Sequence, residues 1–194
     1  MKTRIILAST SPRRQLLLSQ IGLKYEVIES GADENTSGSA EEQVEVLAIR
    51  KAEAVLPKIN TPAIIIAADT LVTIDGKILG KPDRRDDAYV MLSSLQGKKH
   101  TVYTGVSLIK SGENNTNNKT RSFVEKTDVF FRELSNNEIW DYIDTNEPFD
   151  KAGGYGIQGL GAAFVSRIEG DFYNVMGLPL SRLYTTLREI VIEI

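Results

Sequence analysis

Strands and amphipathic helices alternate along the 194 residues, and this alternation predicts a globular protein of the α/β class. Two observations support the prediction most strongly. The continuous apolar run Ala63–Ala68 is typical of a central strand that is covered on both faces. Two serine–glutamate pairs, Ser39 with Glu42 and Ser135 with Glu138, have the spacing of capping boxes and mark the starts of two helices.

The composition excludes several classes of function. The net charge is −3, from 23 basic and 26 acidic residues, and without a basic run this argues against nucleic-acid binding. The absence of cysteine excludes disulfides, a thiol nucleophile and a zinc–thiolate site. No apolar run approaches the ~20 residues that span a bilayer, and the run after Lys2 and Arg4 is too short for a signal peptide. We therefore expect a cytoplasmic protein with no membrane partner.

The first helix begins with two arginines. Met1–Leu7 is a β-rich run, and Ser11 followed by Pro12 is a strong helix start. Arg13 and Arg14 then fall in the first turn, where the helix dipole opposes positive charge unless an anion is bound there. The pattern indicates either a phosphate-binding turn or a solvated arginine pair at a helix start.

The second helix carries a lysine on its apolar stripe. Lys51 falls in the middle of an arc formed by four apolar residues, Val44, Leu47, Ala48 and Val55. Either the lysine stem runs to the surface, or the ammonium points into an internal cleft at an anion.

Asp69 is the best single catalytic candidate. It follows the apolar run Ala63–Ala68 directly, and a carboxylate at the end of a buried strand is costly unless something uses or neutralises it. A simple role as a cap or turn residue is disfavoured because Leu71–Ile74 continues the strand.

A hairpin follows Asp69. Asp75 and Gly76 predict a two-residue turn, and the hairpin would bring Asp69 and Lys81 together at its base. Strict alternation places these two side chains on opposite faces, so a bulge or an early end at Gly80 is needed for both to face one site.

The second half of the chain predicts further strands and helices. Helices are expected at Asp83–Gly97, after Ser135 and around Leu180–Ile190, and strands at Thr101–Ile109, Phe123–Phe131 and Ala162–Ile168. The polar joint Ser111–Thr120 is predicted to be a mobile hairpin tip without chemistry. His100, the single histidine, is expected at the surface or at a strand edge.

Residues Asp150–Gly161, which we call the glycine loop, have five glycines among nine consecutive residues. Such a loop lets the backbone approach a flat ligand closely, and Gln158 offers both donors and an acceptor. The alternative is a structural loop whose glycines adopt positive φ.

Charged residues at the ends of elements indicate a triphosphate site. The cations are Arg13, Arg14, Lys51 and Lys81, and the acids are Glu34 and Asp69. Cations hold phosphates, whereas carboxylates bind a divalent metal and activate water. Neither a Walker sequence nor a Rossmann fingerprint is present, so the familiar nucleotide-binding folds are not indicated.

The sequence resembles the Maf family of nucleoside triphosphate pyrophosphatases. The matching segments are Leu7–Arg14, Asp33-Glu34, Leu47-Ala48 with Lys51-Ala52, Ala68–Thr70, Leu79–Pro82, Tyr103–Val106, Lys151–Gly159 and Gly170–Pro179. The resemblance implies a mixed α/β fold of the Maf/ITPase-like (anticodon-binding-like) kind. Its elongated sheet with flanking helices would form one domain over residues 1–194, with two lobes around a cleft and no independent linker.

The resemblance also implies an activity and a set of site residues. The family hydrolyses triphosphates to the monophosphate and pyrophosphate with Mg²⁺ or Mn²⁺, and one subfamily prefers dTTP and UTP. Asp69 matches the catalytic base, and Glu34 and Asp69 match metal-binding acids. Ser9, Arg14, Lys51 and Lys81 match phosphate contacts, and Arg13, Thr70 and Gln158 match the specificity positions.

Several alternatives stay open at this point. The protein could be a non-catalytic nucleotide-binding regulator of septum formation, or a pyrophosphatase for methylated or modified nucleotides. Whether Glu41 or Glu42 joins the metal site is undecided, and house-cleaning of unwanted nucleotides and a homodimer are family-level expectations.

Overall fold

A computed structural model describes residues 4–113 and 117–192. Within these ranges the strands are β1 Ile5–Leu7, β2 Glu26–Val27, β3 Ile64–Ile74, β4 Lys77–Leu79, β5 Lys99–Lys110, β6 Lys119–Phe131 and β7 Val165–Glu169. The α-helices are α1 Pro12–Gln20, α2 Ala40–Glu53, α3 Arg85–Leu95, α4 Asn136–Asp144, α5 Phe172–Met176 and α6 Leu180–Ile192. The first three residues of the predicted strand Met1–Leu7 and residues 114–116 of the predicted hairpin tip lie outside the described ranges.

The described strands form one mixed sheet. Its order is β2-β1-β3-β5-β6-β7, and β4 pairs with β3 beside this path. β1 is parallel to both β2 and β3, whereas β4 is antiparallel to β3 and β7 is antiparallel to β6. Together with the helices, this confirms the predicted α/β class with a mixed sheet.

The β3–β4 hairpin forms as predicted and then ends early. Its first pair is Ile74 with Lys77, and both turn residues have positive φ, 49° at Asp75 and 75° at Gly76. The antiparallel pairing extends only to Leu79, where β4 ends. Of the two predicted alternatives, a bulge in the hairpin or an early end at Gly80, the structure shows the early end.

The chain divides into two compact units. The first unit takes the described residues of Met1–Asp69, Thr104–Glu125 and Gly177–Ile194, and the second unit takes those of Thr70–Tyr103 and Lys126–Met176. The grouping of both units into a single domain stays a prediction.

The core of the first unit lies between α2 and the sheet. One cluster of buried residues contains Ile6, Ala8, Ala52, Val55, Ile59, Ala63, Ile65, Ala67 and Ile109. α2 approaches β5 so closely that a Cβ at Gly105 would collide with the carbonyl of Val44. Lys51 lies about two turns further along the same side of α2, so this close approach directs Lys51 toward the sheet.

Both predicted capping boxes are present. The Ser39 hydroxyl accepts from the Glu42 N–H at 3.3 Å, and Glu42 Oε2 accepts from the Ser39 N–H at 2.9 Å. Ser135 and Glu138 make the equivalent pair of contacts at 3.3 and 2.9 Å at the start of α4. These caps satisfy backbone donors that the helix itself leaves unpaired, and therefore fix where α2 and α4 begin.

The predicted strand Ala162–Ile168 begins later than expected. A 3₁₀ turn, Leu160–Phe164, occupies its first residues, and β7 begins at Val165. The backbone N–H groups of Leu160 and Gly161 donate to a side-chain carboxylate instead of to a neighbouring strand.

Candidate active site

Asp69 lies in β3 on the face that packs against α2. Side chains alternate along a strand, so Asp69 shares its face with Ile65 and Ala67. Both of these residues pack with Ala52 of α2. Lys51 precedes Ala52, and its Nζ donates to Asp69 Oδ1 at 2.6 Å. Each of the two charged side chains is only 12% exposed.

Glu34 contacts the same ammonium group. Its Oε1 lies 2.7 Å from Lys51 Nζ, while 67% of the Glu34 side chain is exposed. The ammonium of Lys51 is therefore shared by two carboxylates, those of Glu34 and Asp69. Of the two interpretations of Lys51, the structure shows the one in which the ammonium points at an anion.

Ser9 and Arg14 contact each other at the start of α1. Arg14 Nη1 donates to Ser9 Oγ at 3.2 Å, and Arg14 Nε donates to the carbonyl of Gly177 at 2.9 Å. Ser11 is the N-cap residue, as predicted, but its side chain makes no capping hydrogen bond. The first turn of α1 contains no acidic residue and keeps Arg13 beside Arg14.

The charge of Arg14 is influenced by the carboxylates of the same unit. Burial lowers the pKa of the Arg14 guanidinium from its ordinary value, and the nearby Arg13 acts in the same direction. The carboxylates of Asp69 and Glu34 oppose this lowering of the pKa. The five predicted residues Ser9, Arg14, Glu34, Lys51 and Asp69 thus form linked contacts and charge interactions within the first unit.

Three of the four remaining predicted residues belong to the second unit, and the fourth, Arg13, lies in α1 of the first unit. Thr70 follows Asp69 in β3, and Lys81 is exposed just beyond β4. The carbonyl of Gly80 accepts from the Gly153 N–H at 2.9 Å, which ties the segment that carries Lys81 to the glycine loop. Gln158 is exposed, although the loop residues 153–157 before it are buried.

The glycines of the loop make room for the protein's own side chains. A Cβ at Gly156 would lie 2.7 Å from Lys151 Cε, and one at Gly161 would lie 2.9 Å from Tyr142 Oη. A Cβ at Gly159 would collide with the carboxylate of Glu147. The alternative prediction is a structural loop whose glycines adopt positive φ. Two other glycines of the loop, Gly153 and Gly154, do have positive φ.

Comparison with known proteins identifies the family. The family model for Maf-like proteins matches residues 4–190. The chain belongs to the Maf family. It is 50% identical over 187 residues to a dTTP/UTP pyrophosphatase of Carboxydothermus hydrogenoformans, covering 96% of this chain and 98% of that protein. It is 48% identical to a protein of the same name from a Thermoanaerobacter species, covering 95% of this chain and 95% of that protein. It is also 48% identical to one from Clostridium perfringens, covering 98% of this chain and 99% of that protein.

The carboxylates of Glu34 and Asp69 both contact Lys51 and are the predicted ligands of a divalent metal in this Maf chain. In the described part of the chain, no cluster of three or more His, Cys, Asp or Glu side chains could hold a metal ion. Mg²⁺ commonly binds one or two carboxylates and completes its shell with substrate phosphates and water, so Glu34 and Asp69 fit such an ion. Glu42 is used differently, because its carboxylate caps α2 through Ser39.

The prediction for His100 is wrong. His100 is 2% exposed, and its Nε2 lies 2.8 Å from the Tyr155 hydroxyl, in the glycine loop. Its ring also makes edge contacts with Phe131 and Tyr155. The preceding lysines suggested a surface position, but the strand alternation in β5 exposes Lys99 and turns His100 inward.

Two features of this Maf chain were not found from the sequence. The first feature is the direct pairing of Lys51 with Asp69. Its signal is that Asp69 shares a strand face with Ile65 and Ala67, which pack with Ala52, the neighbour of Lys51. The contacts of Glu147 had only an indirect signal, the density of glycines in the loop that follows it, up to Gly161. In the described residues, no helix has both the length and the apolar character required to cross a membrane.

Proposed function

We propose that the protein hydrolyses nucleoside triphosphates, with dTTP and UTP preferred, to the monophosphate and pyrophosphate. The observation that supports this best is the Glu34–Lys51–Asp69 cluster, which places two carboxylates on one ammonium at 2.7 and 2.6 Å. The name of the relatives, dTTP/UTP pyrophosphatase at 48–50% identity, supplies the substrate class.

Asp69 acts as the general base in this proposal. Its carboxylate orients a water molecule and accepts its proton while the water oxygen attacks a phosphorus atom. The bond between the α- and β-phosphates breaks, and the electron pair leaves on the departing phosphate oxygen. Lys51 holds the Asp69 carboxylate in place through the 2.6 Å contact.

The phosphates are bound by cations and by the start of α1. Arg14 and Ser9 lie in contact there, and the backbone N–H groups of the first helical turn favour an anion. Lys51 and Lys81 supply further positive charge. These groups stabilise the charge that gathers on the phosphate oxygens during the reaction.

Glu34 and Asp69 would hold a divalent metal, Mg²⁺ or Mn²⁺. When bound, such an ion supplies Lewis-acid stabilisation of the phosphate oxygens. Exposure of most of the Glu34 side chain leaves its carboxylate accessible for this role.

The base is selected by Arg13, Thr70 and Gln158. A thymine or uracil presents an imide edge with two carbonyl acceptors and one N–H donor. The Arg13 guanidinium donates hydrogen bonds, whereas the Gln158 amide both donates and accepts them. These groups can therefore pair with the carbonyls and the N–H of the imide edge. A cytosine replaces one carbonyl acceptor with an amino donor and the ring N–H donor with an acceptor, and would leave partners unpaired.

The test is a panel of triphosphates at one concentration, assayed for pyrophosphate release with Mg²⁺ and with EDTA. We expect dTTP and UTP to be hydrolysed fastest, with no release in EDTA. Binding without turnover would favour the nucleotide-binding regulator instead. Faster hydrolysis of methylated or modified nucleotides would change the substrate but keep the reaction. The cytoplasmic location, the house-cleaning role and the homodimer stay predictions.

A further inference from the structure

We infer that Glu147 is a positioning residue that fixes Gln158 for selection of the base. The inference rests on the proposed function, because it assigns to Gln158 a contact with the nucleotide base. It concerns a residue that touches neither the phosphates nor the proposed catalytic group.

Glu147 holds the backbone on the C-terminal side of Gln158. Its Oε2 accepts from the Leu160 N–H at 2.9 Å, and its Oε1 accepts from the Gly161 N–H at 3.3 Å. A carboxylate only accepts hydrogen bonds and has two oxygens, so one side chain can satisfy both of these backbone donors.

Tyr142 extends the same contact to the N-terminal side of Gln158. Its hydroxyl donates to Glu147 Oε1 at 2.9 Å and accepts from the Gly156 N–H at 3.3 Å. Gln158 is therefore an exposed residue between two backbone segments that are bound by one carboxylate–phenol pair. Burial, and then the hydrogen bond to Glu147, raise the pKa of Tyr142, so its hydroxyl stays protonated and continues to donate.

Two glycines, Gly159 and Gly161, allow this arrangement to form. The carboxylate of Glu147 lies where a Cβ at Gly159 would be, and Tyr142 Oη lies 2.9 Å from the position of a Cβ at Gly161. The main chain of Glu147 is also fixed, since its carbonyl accepts from Lys151 Nζ at 2.6 Å. The glycine content of the loop is thus matched to the side chains that hold it.

The exposed amide of Gln158 can recognise the imide edge of a base only if the backbone that carries it is held in place. Gln158 must place one donor and one acceptor together, and a displacement of about 1 Å of such a group costs up to about a hundredfold in activity. Loosening the loop should therefore reduce discrimination between bases more than it reduces turnover.

The test compares Glu147→Gln with wild type. Glutamine keeps the size of the side chain but replaces one acceptor oxygen with a donor that faces the backbone N–H groups. We expect faster amide hydrogen exchange at residues 156–161. We also expect the ratio of kcat/KM for UTP to that for CTP to fall about tenfold, through a raised KM for UTP with kcat changed by less than about twofold. Tyr142→Phe removes the contacts of the hydroxyl to Gly156 and to Glu147 but leaves the Glu147 contacts to Leu160 and Gly161, and it should give a smaller change in the same direction.

Glu138→Gln is the matched control. Glu138 makes the same kind of capping contacts at the start of α4, to Ser135 N–H at 2.9 Å and to Arg132 Nη2 at 2.6 Å, with no contact to the glycine loop. It should lower the unfolding temperature and leave the UTP-to-CTP ratio unchanged.

Four results would overturn the inference. Unchanged hydrogen exchange in Glu147→Gln would show that Glu147 does not hold the loop, and unchanged selectivity with a loosened loop would show that the loop does not select the base. A ratio that falls equally in Glu138→Gln would assign the effect to general destabilisation. A wild-type protein that hydrolyses no triphosphate would contradict the proposed function itself, and the inference with it.

Discussion

The predicted site residues of the two units are held in different ways. In the first unit, charged side chains hold one another, because Lys51 is shared by Glu34 and Asp69, and Arg14 donates to Ser9. In the second unit, Gln158 lies on a loop whose backbone N–H groups donate to the side chains of Glu147 and Tyr142.

This difference separates two tasks. Phosphates are the same in every triphosphate and require charge, which charged side chains provide. Bases differ in the pattern of donors and acceptors, and reading that pattern requires a fixed backbone. Substitutions at Arg14, Lys51 and Asp69 should therefore affect all nucleotides alike, whereas substitutions at Arg13 and around the glycine loop should affect the choice among them.

Asp69→Asn should have the largest effect. Asparagine keeps the shape of the side chain but cannot accept the proton of water, so we expect kcat to fall about 10²- to 10⁴-fold for every triphosphate. Pyrophosphate release across the nucleotide panel measures this, and an unchanged unfolding temperature checks the fold. Near-normal hydrolysis of dTTP by the variant would show that Asp69 is not the base.

The buried His100 below the glycine loop should make the stability of the second unit depend on pH. Burial lowers the pKa of His100 to about 4, and the carboxylate of Asp128 opposes this lowering. The unfolded chain binds the proton with a pKa of about 6.5, so between these two values only the unfolded chain is protonated. Stability should therefore fall as the pH falls from about 6.5 to about 4, by about 3 kcal/mol in all, and this contribution should then level off.

Urea unfolding of wild type and His100→Gln at about pH 7 and about pH 5 measures this effect. Glutamine can still contact the Tyr155 hydroxyl but does not titrate, so the variant should lose less stability on acidification than wild type. Equal losses in the two proteins would mean that His100 is accessible to protons in the folded state.

Lys51→Met should lower kcat/KM about 10- to 100-fold for all triphosphates, since it removes a charged hydrogen bond and a phosphate contact while keeping the apolar stem. Steady-state kinetics on the panel and a thermal unfolding curve separate the two possible roles. Unchanged kinetics with a lower unfolding temperature would make Lys51 a structural residue, and a change in base preference would remove the distinction between the charged cluster and the glycine loop.

Local patterns predicted the elements well, and distant contacts were harder. The apolar run before Asp69, the Asp75-Gly76 turn and both capping boxes depend on neighbours in sequence, and the structure confirms them. His100 contacts Tyr155 across 55 positions, and its local context of lysines pointed the other way.

The site shows the same limit. The sequence placed Lys51 on a buried stripe and Asp69 at the end of the apolar run, but their contact requires α2 to lie close against the sheet, which Gly105 of β5 permits. The glycine loop was recognised by its composition, whereas Glu147 was not, because a single glutamate before Pro148 has no pattern of its own.

Replacing the two neighbouring arginines of α1 gives the smallest and sharpest test of the comparison. Arg14 contacts Ser9 and the carbonyl of Gly177, so Arg14→Ala should reduce kcat/KM for every triphosphate by a similar factor. Arg13 is proposed to contact the base, so Arg13→Ala should change the UTP-to-CTP ratio about fivefold, the equivalent of one ordinary hydrogen bond. The same kinetic panel measures both variants. Equal effects of the two substitutions on every nucleotide would mean that both arginines serve the phosphates, and selection of the base would then depend on Thr70 and the glycine loop alone.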